Sequence, residues 1–418
     1  MLLATDHYPP YIGGAQIQSR LLAAQLRARG HDVRVATVWQ NGLPAFEDDE
    51  GVPVHRLRQL RTVPGIVGNW RHHQPPFPDP VTVSGLRRLI GNFTPDLVHS
   101  YGWFSYSCAA ALVGTDIPLL ITARDYAYSC ATRNLVYNGR PCSGPSLAKC
   151  LKCAAQEYGR PKGWIAATSV ASFKPLLRRK VRAIHSISTY VQDVMRRDFM
   201  DDRASDGVDQ VIHDVISSVP QEHYASDEGR ADLARLDREL PSEPFILFVG
   251  ALRLVKGVEQ LLTAYRTLEN PPPLVLIGTF ERDTPPLPTG VHVVADLHHA
   301  AVMMAWERCL FAVLPSLWPE PFGTVVCEAM SCGKAVIGTT PGGHTDMIAD
   351  GETGFLVRGG DAAALANAMQ QLIDDPELRD RFGKAGRERA ELFTVEVAIP
   401  RLERLYAQLV IPRSRSTQ

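Results

Sequence analysis

The sequence lacks the segments that insert a chain into a membrane. Residues 1–10 contain no basic region followed by the long apolar run of a secretory signal peptide. No apolar run approaches the ~20 residues that a membrane-spanning helix needs. These absences predict a cytoplasmic protein, in which the eight cysteines are thiols or metal ligands rather than disulfides.

Net charge is also nearly absent, at −1 over 418 residues, so the whole chain gives no indication of nucleic acid as a partner. The overall balance conceals two unlike halves. Residues 1–200 carry 24 of the 44 Lys and Arg residues but only 13 of the 45 Asp and Glu residues. At ~150 residues per domain, the length and this asymmetry favour two or three domains, of which two bind different ligands.

Strand-like and helical patterns alternate along the chain, and no internal repeat interrupts them. Short apolar runs indicate strands at 2–3, 33–38, 95–100 and 117–123, and again at 245–249, 274–277, 291–294, 310–314 and 335–337. Helical spacing occupies the intervening segments 17–26, 258–268 and 300–308. The alternation predicts an α/β fold of two doubly wound, Rossmann-like domains, with a cleft between them.

The segment 314–357 holds the densest group of residues suited to ligand binding. Glu320 lies in a Pro-rich loop just outside a predicted helix N-terminus, and Glu328 lies about one and a half turns inside that helix. Ionised carboxylates only accept hydrogen bonds, so two of them near one ligand suit a polyhydroxylated substrate. For an isolated pair the alternative is stabilisation of the helix dipole and a surface Glu.

The chain resembles the retaining glycosyltransferases of family 4, which have the GT-B fold. Their two Glu residues separated by seven positions match Glu320 and Glu328 in EPFGTVVCE. Residues 249–262 resemble their Arg- and Lys-bearing segment, with Arg253 and Lys256 in the matching places. Residues 8–16 (YPPYIGGAQ) resemble their N-terminal glycine loop, and they contain no G-x-G-x-x-G, which argues against a dinucleotide oxidoreductase.

The resemblance implies a division of labour between the domains. Residues 1–205 would form the acceptor-side domain and 206–391 the donor-binding domain, with 392–418 packing back onto the first. The reaction would move a hexose from a nucleotide sugar to a saccharide, lipid-linked or small-molecule acceptor, in glycan or cell-envelope polysaccharide biosynthesis. No metal would be required for this chemistry. A GT-B epimerase and a glucan synthase are alternatives within the enzymes.

The resemblance also implies roles for individual residues. Arg253 and Lys256 would neutralise the donor diphosphate, and Glu328 would accept hydrogen bonds from the ribose. Glu320 would hold the transferred sugar together with backbone N–H groups at the start of the helix, which are those of Phe322, Gly323 and Thr324. Gly13 and Gly14 would let the N-terminal loop approach the donor phosphates or the acceptor closely.

One departure concerns the loop after the strand at 117–123, where many family members have a His. This sequence has Arg124 there, followed by Asp125. Because arginine cannot act as a base near neutral pH, Arg124 is expected to bind a phosphate and Asp125 to orient the acceptor hydroxyl. His99 is either a further acceptor-side residue or a structural histidine. The departure leaves a non-catalytic nucleotide-sugar-binding or zinc-stabilised scaffold protein as the alternative function.

Two further features lie between residues 130 and 182. Cys130, Cys142, Cys150 and Cys153 stand in a Gly- and Pro-rich stretch of little periodicity, and their C-x11-C-x7-C-x2-C spacing fits a structural zinc site. Scattered thiols, disulfides if the protein is oxidised, and an iron–sulfur cluster are the alternatives. Residues 160–182 contain seven Lys and Arg but no acid, interleaved with apolar residues, and fit either peripheral contact with an anionic membrane or a solvated basic face.

Overall fold

The structure is a computed structural model that describes residues 1–6, 8–10, 14–62, 74–200, 208–212, 227–295 and 297–410. The chain divides into two compact units. The N-terminal unit comprises the described residues of 1–135, 142–214 and 395–418, and the C-terminal unit those of 136–141 and 215–394. The sequence placed the corresponding boundaries at 205/206 and 391/392.

The strands and helices follow one another in a largely alternating order. The strands are β1 (Leu2–Thr5), β2 (Arg34–Val38), β3 (Phe46–Asp49), β4 (Val52–Leu57), β5 (Val98–Tyr101), β6 (Leu119–Ala123), β7 (Val136–Tyr137), β8 (Arg140–Pro141), β9 (Val181–Ser186), β10 (Val208–Val211), β11 (Ile246–Val249), β12 (Leu274–Ile277), β13 (Val291–Val294), β14 (Phe311–Val313), β15 (Ala335–Thr340) and β16 (Gly354–Arg358). The helices are α1 (Gly14–Ala28), α2 (Pro80–Phe93), α3 (Phe104–Ala111), α4 (Leu147–Tyr158), α5 (Arg160–Lys180), α6 (Thr189–Asp198), α7 (Asp227–Glu239), α8 (Val258–Tyr265), α9 (His299–Arg308), α10 (Thr324–Ser331), α11 (His344–Met347), α12 (Ala362–Asp374), α13 (Pro376–Ala390) and α14 (Val395–Leu409).

The sheet of the N-terminal unit has the strand order β10-β9-β6-β5-β1-β2-β4-β3. All neighbours are parallel except β3, which pairs with β4 in antiparallel fashion at one edge. Every residue of β1, β5 and β6 is buried. Helices on both faces exclude water from such strands, which is why they read as short continuous apolar runs in the sequence.

The sheet of the C-terminal unit has the order β13-β12-β11-β14-β15-β16 and is parallel throughout. In chain order within the unit this is 3-2-1-4-5-6, the doubly wound arrangement of nucleotide-binding domains. The strand order reverses between β11 and β14. Ligands of such sheets bind outside the carboxyl ends of the strands at that reversal, which directs attention to the loops after β11 and β14.

The Cys-rich stretch differs from its prediction as an irregular loop. Leu147–Tyr158 is helical, so Cys150 and Cys153 lie one turn apart on α4. This helix forms a tight hairpin with α5, because Gly163 has no side chain: a Cβ there would lie 2.2 Å from the backbone oxygen of Ala154. Packing against α5 therefore stabilises a helix whose own sequence gave a weak signal.

Candidate active site

Two loops at the strand-order reversal of the C-terminal unit are joined by their backbones. The Leu317 N–H donates to the Val255 oxygen at 2.9 Å. Gly257 adopts a φ of +77°, and a Cβ at this position would lie 1.8 Å from the Pro315 oxygen. Only glycine permits this approach, so the loop after β11 and the loop after β14 are held in fixed register.

This register brings Lys256 against Glu320. The Lys256 Nζ donates to Glu320 Oε2 at 2.9 Å and to Oε1 at 3.0 Å. Two further groups donate to Oε2, the Ser316 hydroxyl at 3.0 Å and the Trp318 indole N–H at 2.6 Å. Oε1 accepts from Lys256 alone among the described residues. A carboxylate oxygen has two lone pairs, so Oε1 can accept one more hydroxyl donor.

The surroundings keep Glu320 ionised. Burial raises its pKa, but the Lys256 ammonium, His344 and the hydrogen bonds from Lys256 and Ser316 outweigh this, and the pKa is lowered from 4.5. A charged group with so little exposure, 12% of the side chain, is maintained only when it is paired and hydrogen-bonded in this way.

His344 completes this cluster from the turn after β15. It is 1% exposed, and burial lowers its pKa to about 4, so the ring is neutral near pH 7. Its Nδ1 accepts from the Thr339 N–H at 3.1 Å, which places the proton on Nε2. A Cβ on Gly323, which has a φ of +101°, would lie 2.8 Å from that Nε2. Gly323 therefore lets the imidazole N–H reach the start of α10.

The start of α10 is where the sequence predicted backbone donors. Gly323 is the N-cap and Thr324 the first helical residue, and the first N–H groups of a helix have no intrahelical acceptor. Phe322 is 3% exposed and packs edge-on against Phe393 with ring centroids 5.7 Å apart, which anchors the loop. The Gly343 N–H donates to the backbone carbonyl oxygen of Glu320 at 2.6 Å, so the glycine turn after β15 also holds the Glu320 backbone in place.

Glu328 lies inside α10 and faces α9. Its Oε1 is 3.1 Å from His299 Nε2, and its Oε2 accepts from the Trp306 indole N–H at 3.4 Å. The hydrogen bond to Glu328 raises the pKa of His299 from 6.5, although burial opposes the shift. Each oxygen of Glu328 has one partner here and can accept a second hydrogen bond, so the carboxylate can also accept from hydroxyl donors, as its predicted contact with ribose requires.

Arg253 lies at the other side of the β11 loop and pairs with Asp283. Its Nε donates to Asp283 Oδ1 at 3.0 Å, and 41% of the side chain is exposed. The two terminal nitrogens have no further acceptor among the described residues. A guanidinium held through Nε presents its terminal donors to an anion such as phosphate.

In the N-terminal unit, charged residues collect at the carboxyl ends of β1, β5 and β6. Arg133 donates to Asp125 Oδ2 from Nε at 2.9 Å and from Nη2 at 2.5 Å, and Asp125 Oδ1 accepts from the Ala127 N–H. Asp6 and Arg133 both approach Gly102, within 3.6 and 3.7 Å of a Cβ placed there. Both oxygens of Asp125 are thus hydrogen-bonded within the unit, but Oδ1 accepts a single donor among the described residues and can accept one more, as its predicted role with an acceptor hydroxyl requires.

Arg124 follows β6 and is partly buried. Its guanidinium lies 4.3 Å from the centre of the Tyr101 ring, and Nη1 donates to the Ser19 hydroxyl at 3.1 Å. Ser19 belongs to α1. The first residue of this helix is Gly14, one of the two glycines predicted to approach the donor phosphates or the acceptor. Gly13, the other glycine of that prediction, lies outside the described residues.

His99 is a structural histidine in this unit, because it is fully buried and both ring nitrogens are bonded. His185 Nε2 must donate to the Ile212 oxygen at 2.7 Å, so His185 Nδ1 accepts from Thr122 at 2.8 Å. The Thr122 oxygen then accepts from His99 Nε2 at 2.5 Å, and His99 Nδ1 accepts from the Tyr406 hydroxyl at 2.9 Å. Burial lowers the pKa of His99 well below 6.5, consistent with this neutral relay. Direct contact with an acceptor, which is the other role predicted for His99, would require this relay to open.

Comparison with known proteins identifies the family of this chain. Residues 13–205 match the family model of the glycosyl transferase 4-like domain, and residues 236–389 match that of glycosyl transferases group 1, so that together they span most of the chain. The chain belongs to the glycosyl transferases group 1 family. It is a glycosyltransferase with the GT-B fold.

Relatives of this glycosyltransferase act on different substrates. A GDP-mannose-dependent alpha-(1-6)-phosphatidylinositol monomannoside mannosyltransferase from Mycolicibacterium smegmatis is 26% identical and covers 93% of this chain and 92% of its own. A D-inositol 3-phosphate glycosyltransferase from an Arthrobacter species is 27% identical over 91% of this chain and 86% of its own.

Solved structures share the fold of this glycosyltransferase at low identity. Sucrose-phosphate synthase from Thermosynechococcus elongatus has a TM-score of 0.72 and 22% identity, over 98% of each chain. Anabaena HepE in complex with UDP-glucose has a TM-score of 0.68 and 17% identity, over 97% of this chain and 99% of its own.

The cysteines of the glycosyltransferase form no disulfide, and the zinc site stays a prediction. Burial raises the pKa of the Cys153 thiol, and Cys130, Cys142 and Cys150 are near enough to raise it further. The four thiols are therefore neighbours. Within the part of the chain that the structure describes, however, no group of three or more His, Cys, Asp or Glu side chains is arranged to hold a metal ion.

Several residues of the glycosyltransferase site escaped the sequence analysis. Trp318 and His344 lie inside the segment 314–357 that the sequence analysis singled out, and each follows a strand end, which was the available signal. His299 and Arg133 gave no such signal, because their partners are 29 and 8 positions away and are reached only through packing. Among the described residues, none of the helices is long and apolar enough to cross a membrane.

Proposed function

We propose that the protein transfers a sugar from a nucleotide-sugar donor to an acceptor hydroxyl with retention of anomeric configuration. The observation that carries the proposal is the Lys256–Glu320 pair at the strand-order reversal of the C-terminal unit. It combines a cation for a diphosphate with an ionised carboxylate for sugar hydroxyls at the edge where doubly wound sheets bind nucleotides.

Each group then has a role in the transfer. Lys256 and the terminal nitrogens of Arg253 stabilise the negative charge that develops on the leaving diphosphate. Glu320 Oε1 accepts from a hydroxyl of the transferred sugar, and the first N–H groups of α10 donate to it. Glu328 accepts from the ribose. These residues supply the stabilisation without a metal ion, since charge develops where fixed donors already point.

The acceptor in this proposal carries a phosphate, and Arg124 binds it. The guanidinium is partly buried on the Tyr101 ring, where a charge-assisted bond to an anion is stronger than in water. The name of the Arthrobacter relative specifies D-inositol 3-phosphate, which is an acceptor of this chemical class. The product enters glycan or cell-envelope polysaccharide synthesis.

A two-stage experiment tests the proposal. Thermal shift with a panel of nucleotide sugars identifies the donor, since a ligand at ~100 times its dissociation constant adds ~2.7 kcal/mol of stability. NMR of the product then reports the anomeric configuration. We expect retention, and we expect Glu320→Ala and Lys256→Ala each to abolish transfer while remaining folded. Glu259→Ala, an exposed carboxylate of the same unit, is the control. Inversion, or full activity of both variants, overturns the proposal.

The acceptor is tested separately with Arg124→Gln. We expect the KM for a phosphate-bearing acceptor to rise about tenfold or more, with the KM for the donor unchanged, because one charge-assisted contact is lost. If the KM changes equally for phosphorylated and unphosphorylated acceptors, Arg124 does not bind an acceptor phosphate. The proposed transfer reaction would not be affected by that result.

A further inference from the structure

The exposed side of the α4–α5 hairpin presents an unusual set of apolar side chains. Trp164 is 49% exposed, Ile165 45% and Leu147 56%. Exposed positions recur on α5 at helical spacing, and none of those between the two ends of the helix is charged: Pro161, Trp164, Ile165, Thr168, Ala171, Ser172 and Pro175. We call this set with Leu147 the hairpin face.

Three of the cations around this face are engaged within the unit, and four others are exposed. Lys174, Arg178 and Lys180 are engaged with backbone oxygens, such as that of Asp198 at 2.8 Å from Lys174 Nζ and that of Thr115 at 3.0 Å from Lys180 Nζ. They stabilise the unit. The exposed cations are Lys152, Arg160, Arg179 and Arg182.

Negative charge is nearly absent from the same surface. Glu157, at the end of α4, is the single acid on the two helices, and no other acid occurs before Asp193. An uncharged strip that carries exposed apolar side chains, with cations at both ends, suits an anionic bilayer surface, in which phosphates lie outside an apolar interior. Trp favours the boundary between those layers.

We propose that the hairpin face docks on the surface of an anionic phospholipid bilayer. Trp164 and Ile165 enter the headgroup region, while Arg160, Arg179 and Arg182 lie against lipid phosphates. The hairpin suits this role because the close α4–α5 contact at Gly163 makes it a rigid platform. The docking does not depend on the identity of the donor or on the transfer reaction.

The test uses the full chain and vesicles of defined composition. Co-sedimentation is measured with vesicles of phosphatidylcholine alone and with vesicles of phosphatidylcholine and phosphatidylglycerol in equal parts. We expect binding to the anionic vesicles, weakened by added salt, and little binding to the neutral ones. Equal binding to both, or no binding to either, overturns the proposal.

Variants locate the contact. Trp164→Ser/Ile165→Ser and Arg160→Glu/Arg179→Glu should each lower the partition coefficient on anionic vesicles by about tenfold or more. Val113→Ser is the matched control, because Val113 is 56% exposed in the same unit but lies off the hairpin. Unchanged thermal unfolding shows that the variants are folded. If both double variants bind vesicles as the wild type does, the proposal is contradicted. It is also contradicted if the wild type self-associates, Trp164→Ser/Ile165→Ser is monomeric, and vesicles affect neither protein, because the face would then bind a second copy of the chain.

Discussion

One ammonium group, that of Lys256, bridges both carboxylate oxygens of Glu320, at 2.9 and 3.0 Å. The two residues are 64 positions apart in the chain and meet because β11 and β14 are neighbours in the sheet. Each therefore depends on the other: removing the cation leaves a nearly buried carboxylate, and removing the carboxylate leaves a cation over the Trp318 ring. The charges proposed to bind the donor therefore also stabilise each other within the folded unit.

The first prediction concerns this mutual dependence. Lys256→Met should lower the free energy of unfolding by about 1–3 kcal/mol at pH 7, because Glu320 keeps its charge without its main partner. Lys256→Met/Glu320→Gln should recover most of that loss, as measured by urea unfolding in a double-mutant cycle.

The pH dependence of the same pair has a definite sign. The folded protein holds the pKa of Glu320 below 4.5, so the pair stabilises the fold above pH 4.5 and loses this contribution as the pH falls through the lower folded value. The difference between wild type and Lys256→Met should therefore shrink below pH 4.5. Strict additivity of the two single substitutions at pH 7 would show that the groups are not coupled.

His344 provides the second prediction. Burial lowers its pKa to about 4 from 6.5, so the unfolded chain binds a proton at His344 that the folded protein excludes. The contribution of neutral His344 to the free energy of unfolding is therefore complete above pH 6.5. It declines as the pH falls to 4, by up to about 3 kcal/mol. His344→Gln should flatten this part of the stability curve in urea titrations. His292→Gln, at an exposed position of the same unit, should retain the wild-type slope, and equal slopes in all three proteins would contradict the assignment.

Much of the C-terminal unit could be predicted because its signals are local. The runs at 274–277 and 291–294 coincide with β12 and β13, and β12 is buried throughout, as expected of a continuous apolar segment in a parallel sheet. α4 was missed, because its helical state depends on packing against α5 at Gly163. His299 and Arg133 were missed for a similar reason: their importance arises from neighbours that only the folded chain assembles.

Gly323 yields the third prediction. A methyl group there would lie 2.8 Å from His344 Nε2, at a φ of +101° that L residues rarely adopt. Gly323→Ala should lower the free energy of unfolding by about 2–4 kcal/mol and kcat/KM by about 10²-fold, because the start of α10 and the imidazole are displaced together. Gly290→Ala isolates the backbone contribution, since Gly290 has a φ of +90° and nothing within 4 Å of its Cβ position. Identical losses in stability for the two variants would exclude a role for the contact with His344.

The four clustered cysteines give the fourth prediction. Their spacing predicts a structural zinc site, so we expect a chelator to raise the rates at which Cys130, Cys142, Cys150 and Cys153 react with a thiol reagent. Metal analysis of protein purified without chelator is the companion measurement. We expect one zinc per chain that is lost in Cys130→Ser and Cys153→Ser but kept in Cys332→Ser, and protein without zinc would contradict the prediction.

The buried relay from Tyr406 to His185 provides the last prediction. Thr122 is its central member, and its oxygen accepts from His99 while its proton goes to His185. Thr122→Val preserves the volume but leaves His99 Nε2–H and His185 Nδ1 without their partner. Each buried polar group deprived of its hydrogen bond costs about 1–3 kcal/mol, so we expect a loss of about 3 kcal/mol in the free energy of unfolding.

The relay also sets an order among variants. Tyr406→Phe deprives one ring nitrogen of its partner and should cost about half as much as Thr122→Val, although it loosens α14 from the sheet. Thr168→Val, at an exposed threonine bonded within α5, should change the free energy of unfolding by less than about 0.5 kcal/mol. If Tyr406→Phe were the more harmful, Thr122 would not be the member of the relay on which most of its stability depends, and the assignment would be wrong. Urea unfolding of the three variants decides the order.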